Sequence, residues 1–276
     1  MPLAGCRAVL LDLDGVLYVE DEPLPGAAEA VGRLREGGLA LRFVTNTTAH
    51  SRRATLEKLR RLGFPVAEDE LVTPAVLALR HCREQGHRKV ALLMHDEVRE
   101  EFAGLEESGE PDAVIVGDLG EAFGYEVLNR AFRQLVAGAE LVALQKNRYW
   151  LREDGLCLDV GPFVAALEYA AGCEAHVVGK PAAGFFRHVL DELGVAPDAA
   201  VMVGDDVESD IGGALGAGLA GVLVRTGKYR EPAVRAGGIE PTATVNSIAD
   251  LPDLLLSSNP RAQSVTAPDV EPRVRP

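Results

Sequence analysis

The chain has 276 residues, of which 47% are hydrophobic, so it can bury a core of ordinary size as one large domain or two modest ones. Its formal charge of −14 repels nucleic acid and anionic lipid, and neither is expected as a partner. Four scattered cysteines, Cys6, Cys82, Cys157 and Cys173, form no C-x-x-C pair, which argues against a zinc site or a disulfide framework and for buried free thiols.

In chain order, β-rich runs at 8–13, 40–45, 89–94, 113–116, 140–144, 199–203 and 221–224 read as strands. Several are almost wholly apolar, as parallel strands covered on both faces are. Helical patterns fall between them at 26–36, 51–62, 74–84, 125–136, 162–171, 182–193 and 208–217. Ser51 is placed to cap one helix, and Gly194 to stop another. The alternation predicts an α/β fold with a largely parallel sheet. No apolar run reaches the roughly 20 residues that span a bilayer. The string LAGC at 3–6 resembles a lipoprotein cleavage site, but only two residues precede it, and the chain is expected to be cytoplasmic. The segment 257–276, rich in Pro, Ser and charge, is expected to be disordered.

Four segments carry candidate chemistry. DLDGVL at 12–17 follows an apolar strand, so Asp12 and Asp14 sit at a strand's carboxyl end, where open α/β sheets bind ligands. A plain turn also fits Asp-x-Asp-Gly. An EF-hand does not, because the glycine comes two positions early. FVTNTT at 43–48 ends a second strand, and Thr45 with the amides around Asn46 could cradle a phosphate oxygen or merely cap a helix. In VVGKPAAGFF at 177–186, Gly179 and Pro181 fix Lys180, which is either a phosphate-neutralising ammonium or an exposed loop lysine. In VMVGDDVESDIGGA at 201–214, Asp205, Asp206, Glu208 and Asp210 crowd the end of a strand. Hard oxygen donors of this kind suit Mg²⁺, with Asp205 the foremost ligand; an acidic helix start is the competing reading. Two acids, a hydroxyl, a lysine and an acidic cluster together form an inventory for phosphoryl transfer.

The order of these motifs resembles that of the haloacid dehalogenase superfamily, over nearly the whole chain before residue 257. The resemblance implies a Rossmann-like three-layer α/β/α core, divided into 1–74 and 177–256, with a C2-type α/β cap inserted at 75–176. NRYW at 147–150 and LDVGPFVAALEYA at 158–170 are similar to the subfamily IIA branch that contains phospholysine phosphohistidine inorganic pyrophosphate phosphatase. It further implies Asp12 as nucleophile and Asp14 as general acid and base. Mg²⁺ would be held by Asp12, the Asp14 carbonyl and Asp205, with Asp210 behind. Thr45, Asn46 and Lys180 would hold the phosphoryl group. A small phosphorylated metabolite, phosphoamino acid or pyrophosphate is the expected substrate, and a homodimer through the cap the expected assembly. A receiver-like signalling module or other non-catalytic phosphate binder is the alternative. Arg148, Tyr149 and Trp150 could face the site, though core packing suits the two aromatics equally. The six histidines show no ligand pattern.

Overall fold

The computed structural model describes residues 3–152 and 155–257. The segment 257–276 therefore lies outside the described residues, Ser257 excepted. Strand Ala8–Asp12 is wholly buried and runs parallel to Ala40–Val44 on one side and Ala200–Gly204 on the other. The full six-stranded order is Ala243–Val245, Ala220–Val224, Ala200–Gly204, Ala8–Asp12, Ala40–Val44, Leu71–Val72. A second parallel sheet has the order His176–Val177, Glu140–Ala143, Ala113–Val116, Lys89–Leu93, Glu106–Glu107. All its strands lie between Leu71–Val72 and Ala200–Gly204 in sequence, so this α/β unit is an insertion into a Rossmann-like α/β core.

The period-two alternation of the strands divides the apolar side chains between faces. Val9, Leu11, Phe43, Val201 and Val203 pack with helix Ala27–Glu36 in one cluster. Ala8, Leu10, Val44 and Met202 face the other way, onto Phe185, Phe186 and Val189 of helix Ala183–Leu193. That second cluster continues through Ala75, Leu77 and Ala78 of helix Pro74–Gln85 to Val90, Ile115 and Val142 of the inserted sheet. The insertion thus shares a core with the sheet it interrupts. Its far face is covered by helices Tyr125–Val136 and Val160–Ala171.

The strong strands and helices fall where the periodicity puts them. The pattern misses the two-residue strands, too short to show a period, and the antiparallel hairpin Tyr149–Arg152 with Gly155–Leu158. Tyr149 and Trp150 are exposed on that hairpin, at 53% and 37%, so the core-packing reading is corrected. Cys6 and Cys82 are buried, whereas Cys157 and Cys173 are only half-buried; none of the four is in a disulfide. Among the described residues no helix is long and apolar enough to cross a membrane.

Ser51 does cap helix Arg52–Arg61, its Oγ accepting from the Ala54 N–H. It also ties the core to the insertion: the Ser51 N–H and Oγ–H both donate to Glu97 Oε1, and the Arg52 N–H donates to Glu101 Oε1. Carboxylates at a helix N-terminus complement its dipole. The Ser51 bond holds the Glu97 carboxyl below its usual range. Ser51→Ala is expected to lower stability by about 1 kcal/mol, within the range for a lost cap, read from urea unfolding midpoints.

Candidate active site

Asp12 ends the central strand, at the sheet edge where Val44 is its neighbour in register. Ending a fully buried strand places its carboxylate at a defined depth, with 9% of the residue exposed. Lys180 Nζ donates to Asp12 Oδ1 at 2.5 Å and lies 2.7 Å from Asp210 Oδ1. Only 2% of Lys180 is exposed, so it is not a loop lysine in solvent. Burial alone would depress its pKa, but Asp12 and Asp210 outweigh burial and hold it well above the normal lysine range.

Lys180 is fixed by its backbone as well. The Asn46 side chain donates through Nδ2 to the Lys180 carbonyl at 2.8 Å and accepts the Lys180 N–H on Oδ1 at 2.9 Å. This reciprocal clamp spans 134 positions of sequence. Gly179 permits it, since a Cβ there would lie 2.8 Å from Asn46 Oδ1 and 2.4 Å from the Leu144 carbonyl. The expected contribution of Asn46 was its backbone amide; its side chain positions Lys180. Thr45 is buried one residue beyond the strand end, its Oγ1 accepting the Thr47 N–H at 2.9 Å.

Asp205 follows strand Ala200–Gly204 directly and is 3% exposed. Its Oδ2 is seated between two glycines: a Cβ at Gly15 or at Gly227 would stand 2.0 Å from it. Gly15 also has φ +79°, and its N–H closes the turn onto the Tyr18 carbonyl. The Lys228 N–H donates to Asp205 Oδ2 at 2.6 Å. Asp210 lies in a six-residue π-helical stretch, Val207–Gly212, where the pattern predicted an ordinary helix; such wide turns gather at functional sites. The turn folds the Asp210 carboxylate back against Gly204, where a Cβ would meet Oδ2 at 2.2 Å. Asp206 caps the same stretch, accepting from the Glu208 and Ser209 N–H groups, while Glu208 pairs with Arg148 of the insertion at 3.5 Å.

Carboxylate oxygens of Asp12, Asp205 and Asp210 lie within 4.8 Å of one another, all buried. Burial first, then the neighbouring carboxylates, pushes the Asp205 pKa up to about 8. Asp210 is raised for the same first reason, against the pull of Lys180. Three carboxylates share one internal ammonium, and a hard divalent cation is the group whose charge and donor preference this arrangement fits. Asp14 is exposed at the mouth of the cluster, and its pKa is raised by desolvation and by Asp12.

Lys228, Gly227 and Thr226, whose Oγ1 donates to the Gly15 carbonyl, were not anticipated. Their only signal in the sequence is a glycine three residues beyond a buried strand, a pattern shared by many turns. On Lys228, desolvation disfavours charge, but Asp205, Asp12, Asp206 and Asp210 prevail and raise its pKa.

Known proteins match this architecture throughout. A family model described as haloacid dehalogenase-like hydrolase matches residues 9–106, and a second, HAD-hydrolase-like, matches 177–251. The chain is 48% identical over 231 residues to human haloacid dehalogenase-like hydrolase domain-containing protein 2, covering 83% of this chain and 88% of that one. It is 43% identical over 265 residues to human phospholysine phosphohistidine inorganic pyrophosphate phosphatase, covering 92% and 96%. Among solved structures, p-nitrophenyl phosphatase from Archaeoglobus fulgidus superposes with a TM-score of 0.85 at 31% identity, over 91% of this chain and 99% of that one.

Asn46→Ala removes both bonds to the Lys180 backbone. It is expected to cost about 1–3 kcal/mol, the range for leaving a buried polar partner unsatisfied, measured by denaturant unfolding with retained circular dichroism.

Proposed function

The chain belongs to the haloacid dehalogenase-like hydrolase family and is a phosphatase of it, and from that premise we propose a Mg²⁺-dependent hydrolysis that passes through a phosphorylated Asp12. The observation that carries this reading is the convergence of Asp12, Lys180, Asp205 and Asp210 from three separate strand ends into one buried cluster. A carboxylate with an adjacent buried ammonium is equipped to approach an anionic phosphoryl group, because the ammonium offsets the repulsion.

In the proposed reaction an Asp12 oxygen attacks phosphorus and the bond from phosphorus to the leaving oxygen breaks, with Asp14 delivering a proton to that oxygen. Asp14 then takes a proton from water, the water oxygen attacks phosphorus, and the bond to Asp12 breaks to release phosphate. A carboxyl with a raised pKa at the cluster mouth suits this exchange of acid and base roles. Lys180, Thr45 and the Asn46 amide would hold the phosphoryl oxygens. The Asp12 carboxylate, the Asp14 carbonyl and Asp205 would hold Mg²⁺. Asp210 would stand behind them, since its oxygens already meet Lys180 and the Asp206 N–H. When bound, the cation supplies charge neutralisation for the phosphoryl group.

The inserted unit, taken as the cap at 75–176, would close over the cluster and select the leaving group. Arg148, paired with Glu208, and Asp118, whose N–H donates to Thr48 Oγ1, reach the core from it. The proposed substrates are small phosphomonoesters, phosphoamino acids or pyrophosphate, hydrolysed in the cytoplasm by a chain that can pair through its cap.

Asp12→Asn is expected to lower turnover by at least about 10³-fold in a phosphate-release assay while the fold is kept, in line with loss of an activated nucleophile. Wild-type protein should release many equivalents of phosphate per chain; a single stoichiometric equivalent would instead identify a receiver-like module.

The raised carboxyls also set a pH dependence. A folded pKa above the unfolded one contributes stability that is complete below the unfolded value, near 3.9, and is lost as pH rises through the folded value. For Asp205 that loss runs up to about pH 8. In EDTA the melting temperature is expected to fall between pH 5 and pH 8.5, each kcal/mol lost lowering it by roughly 2–4 °C. Excess Mg²⁺ should abolish most of the fall. A flat profile in EDTA would contradict the assignment of Asp205.

A further inference from the structure

A second cluster of ligating side chains stands apart from the Asp12 site. His81, in helix Pro74–Gln85, directs Nε2 to Glu140 Oε1 at 2.9 Å. His87 approaches the other oxygen of the same carboxylate, with Nε2 2.5 Å from Oε2. His176, in strand His176–Val177, stacks on His81 with ring centroids 3.9 Å apart and planes 11° from parallel. One ligating atom each of His81, Glu140 and His176 fall within 4.8 Å of one another.

We propose that His81, Glu140 and His176 bind a divalent transition metal ion of the zinc, cobalt or nickel class, with His87 orienting Glu140 from outside. Two imidazoles and one carboxylate are a donor set for borderline ions, whereas the all-oxygen Asp12 cluster suits a hard one. Around an ion bound at about 2.0–2.1 Å, tetrahedral ligand atoms stand about 3.3 Å apart. The His81–Glu140 pair is already near that spacing, and His176, whose ligand atom lies within 4.8 Å of both, closes the set by turning its exposed ring out of the stack on His81. His87 then supplies the hydrogen bond to the ligating carboxylate that metal sites use to hold a ligand in place.

Burial would raise the Glu140 pKa, but the bonds from His87 and His81 outweigh it and keep the carboxylate ionised. Burial, then the His81 ring, lowers the His176 pKa. His176 faces solvent, which leaves an open path to the cluster.

The placement gives the site a consequence. Glu140 begins strand Glu140–Ala143, and the Leu144 carbonyl beyond its other end lies against Gly179, beside Lys180. The strand's four residues, at about 3.3 Å each, put the cluster roughly 10 Å from its Ala143 end. The three ligands belong to the first helix, an inner strand and the last strand of the insertion. A bound ion would therefore join the segment where the chain leaves the core sheet to the segment where it returns.

Cobalt(II) titrated into the intact protein in excess Mg²⁺, followed by equilibrium dialysis and visible absorption, tests the site. One Co²⁺ per chain is expected, with His81→Gln and His176→Gln each weakening binding at least tenfold and Asp205→Asn leaving it unchanged. His176→Gln should keep wild-type Mg²⁺-supported phosphate release. Binding that Asp205→Asn removes, or that His176→Gln leaves intact, would overturn the proposal. As a readout needing no variant, Zn²⁺ should shift the imidazole ¹⁵N resonances of His81 and His176 in the unaltered protein; unshifted resonances would equally overturn it.

Discussion

A lysine ammonium with 2% exposure must be compensated, and the whole arrangement around Asp12 follows from that constraint. Two carboxylates do the compensating, Asp12 at 2.5 Å and Asp210 at 2.7 Å. Removing either would leave a buried charge short of a partner, which costs far more than a surface ion pair is worth. Asp205 adds a third acid with no second internal ammonium at hydrogen-bond range among the described residues. The cluster is therefore short of positive charge, and that imbalance, added to burial, accounts for its proton affinity and its fitness for a cation.

The backbone makes this crowding possible. Parallel strands deliver their carboxyl ends to one edge, so Asp12, Thr45 and Asp205 arrive together without long-range coordination of loops. Carboxylates then approach main chain more closely than a Cβ would allow. Asp205 occupies the space beside Gly15 and Gly227, and Asp210 the space beside Gly204. The shared hydrophobic cluster running from Leu10 to Val142 holds the inserted sheet against this edge.

Much of this was legible from residue order. Long strands such as 8–13 and 113–116 announce themselves by apolar continuity, and the four motif segments announce themselves by polar residues placed at strand ends. What escaped notice depends on tertiary proximity. Lys228 has no motif around it, and its relation to Asp205 exists only because two loops meet. Asn46 reads from the sequence as a backbone amide in a phosphate cradle, and its side-chain bond to Lys180 could not be read from positions 134 apart. His81, His87 and His176 are spread across the chain and meet only because the inserted sheet brings Glu140 between them. Tyr149 and Trp150 lie in a short hairpin whose burial no pattern encodes.

The Asn46 clamp bears on how the insertion and the chemistry are coupled. Lys180 lies three residues after the His176–Val177 strand, and the Val178 N–H is still bonded to the Ala143 carbonyl of the inserted sheet. On that connection alone, any swing of the insertion would drag the ammonium with it. Asn46 anchors the lysine's main chain to the core loop instead, so flexing can be absorbed upstream of Gly179. With the inserted sheet packed on the core through the shared cluster and the lysine's main chain clamped separately, the charge that faces Asp12 is kept in register by two independent attachments.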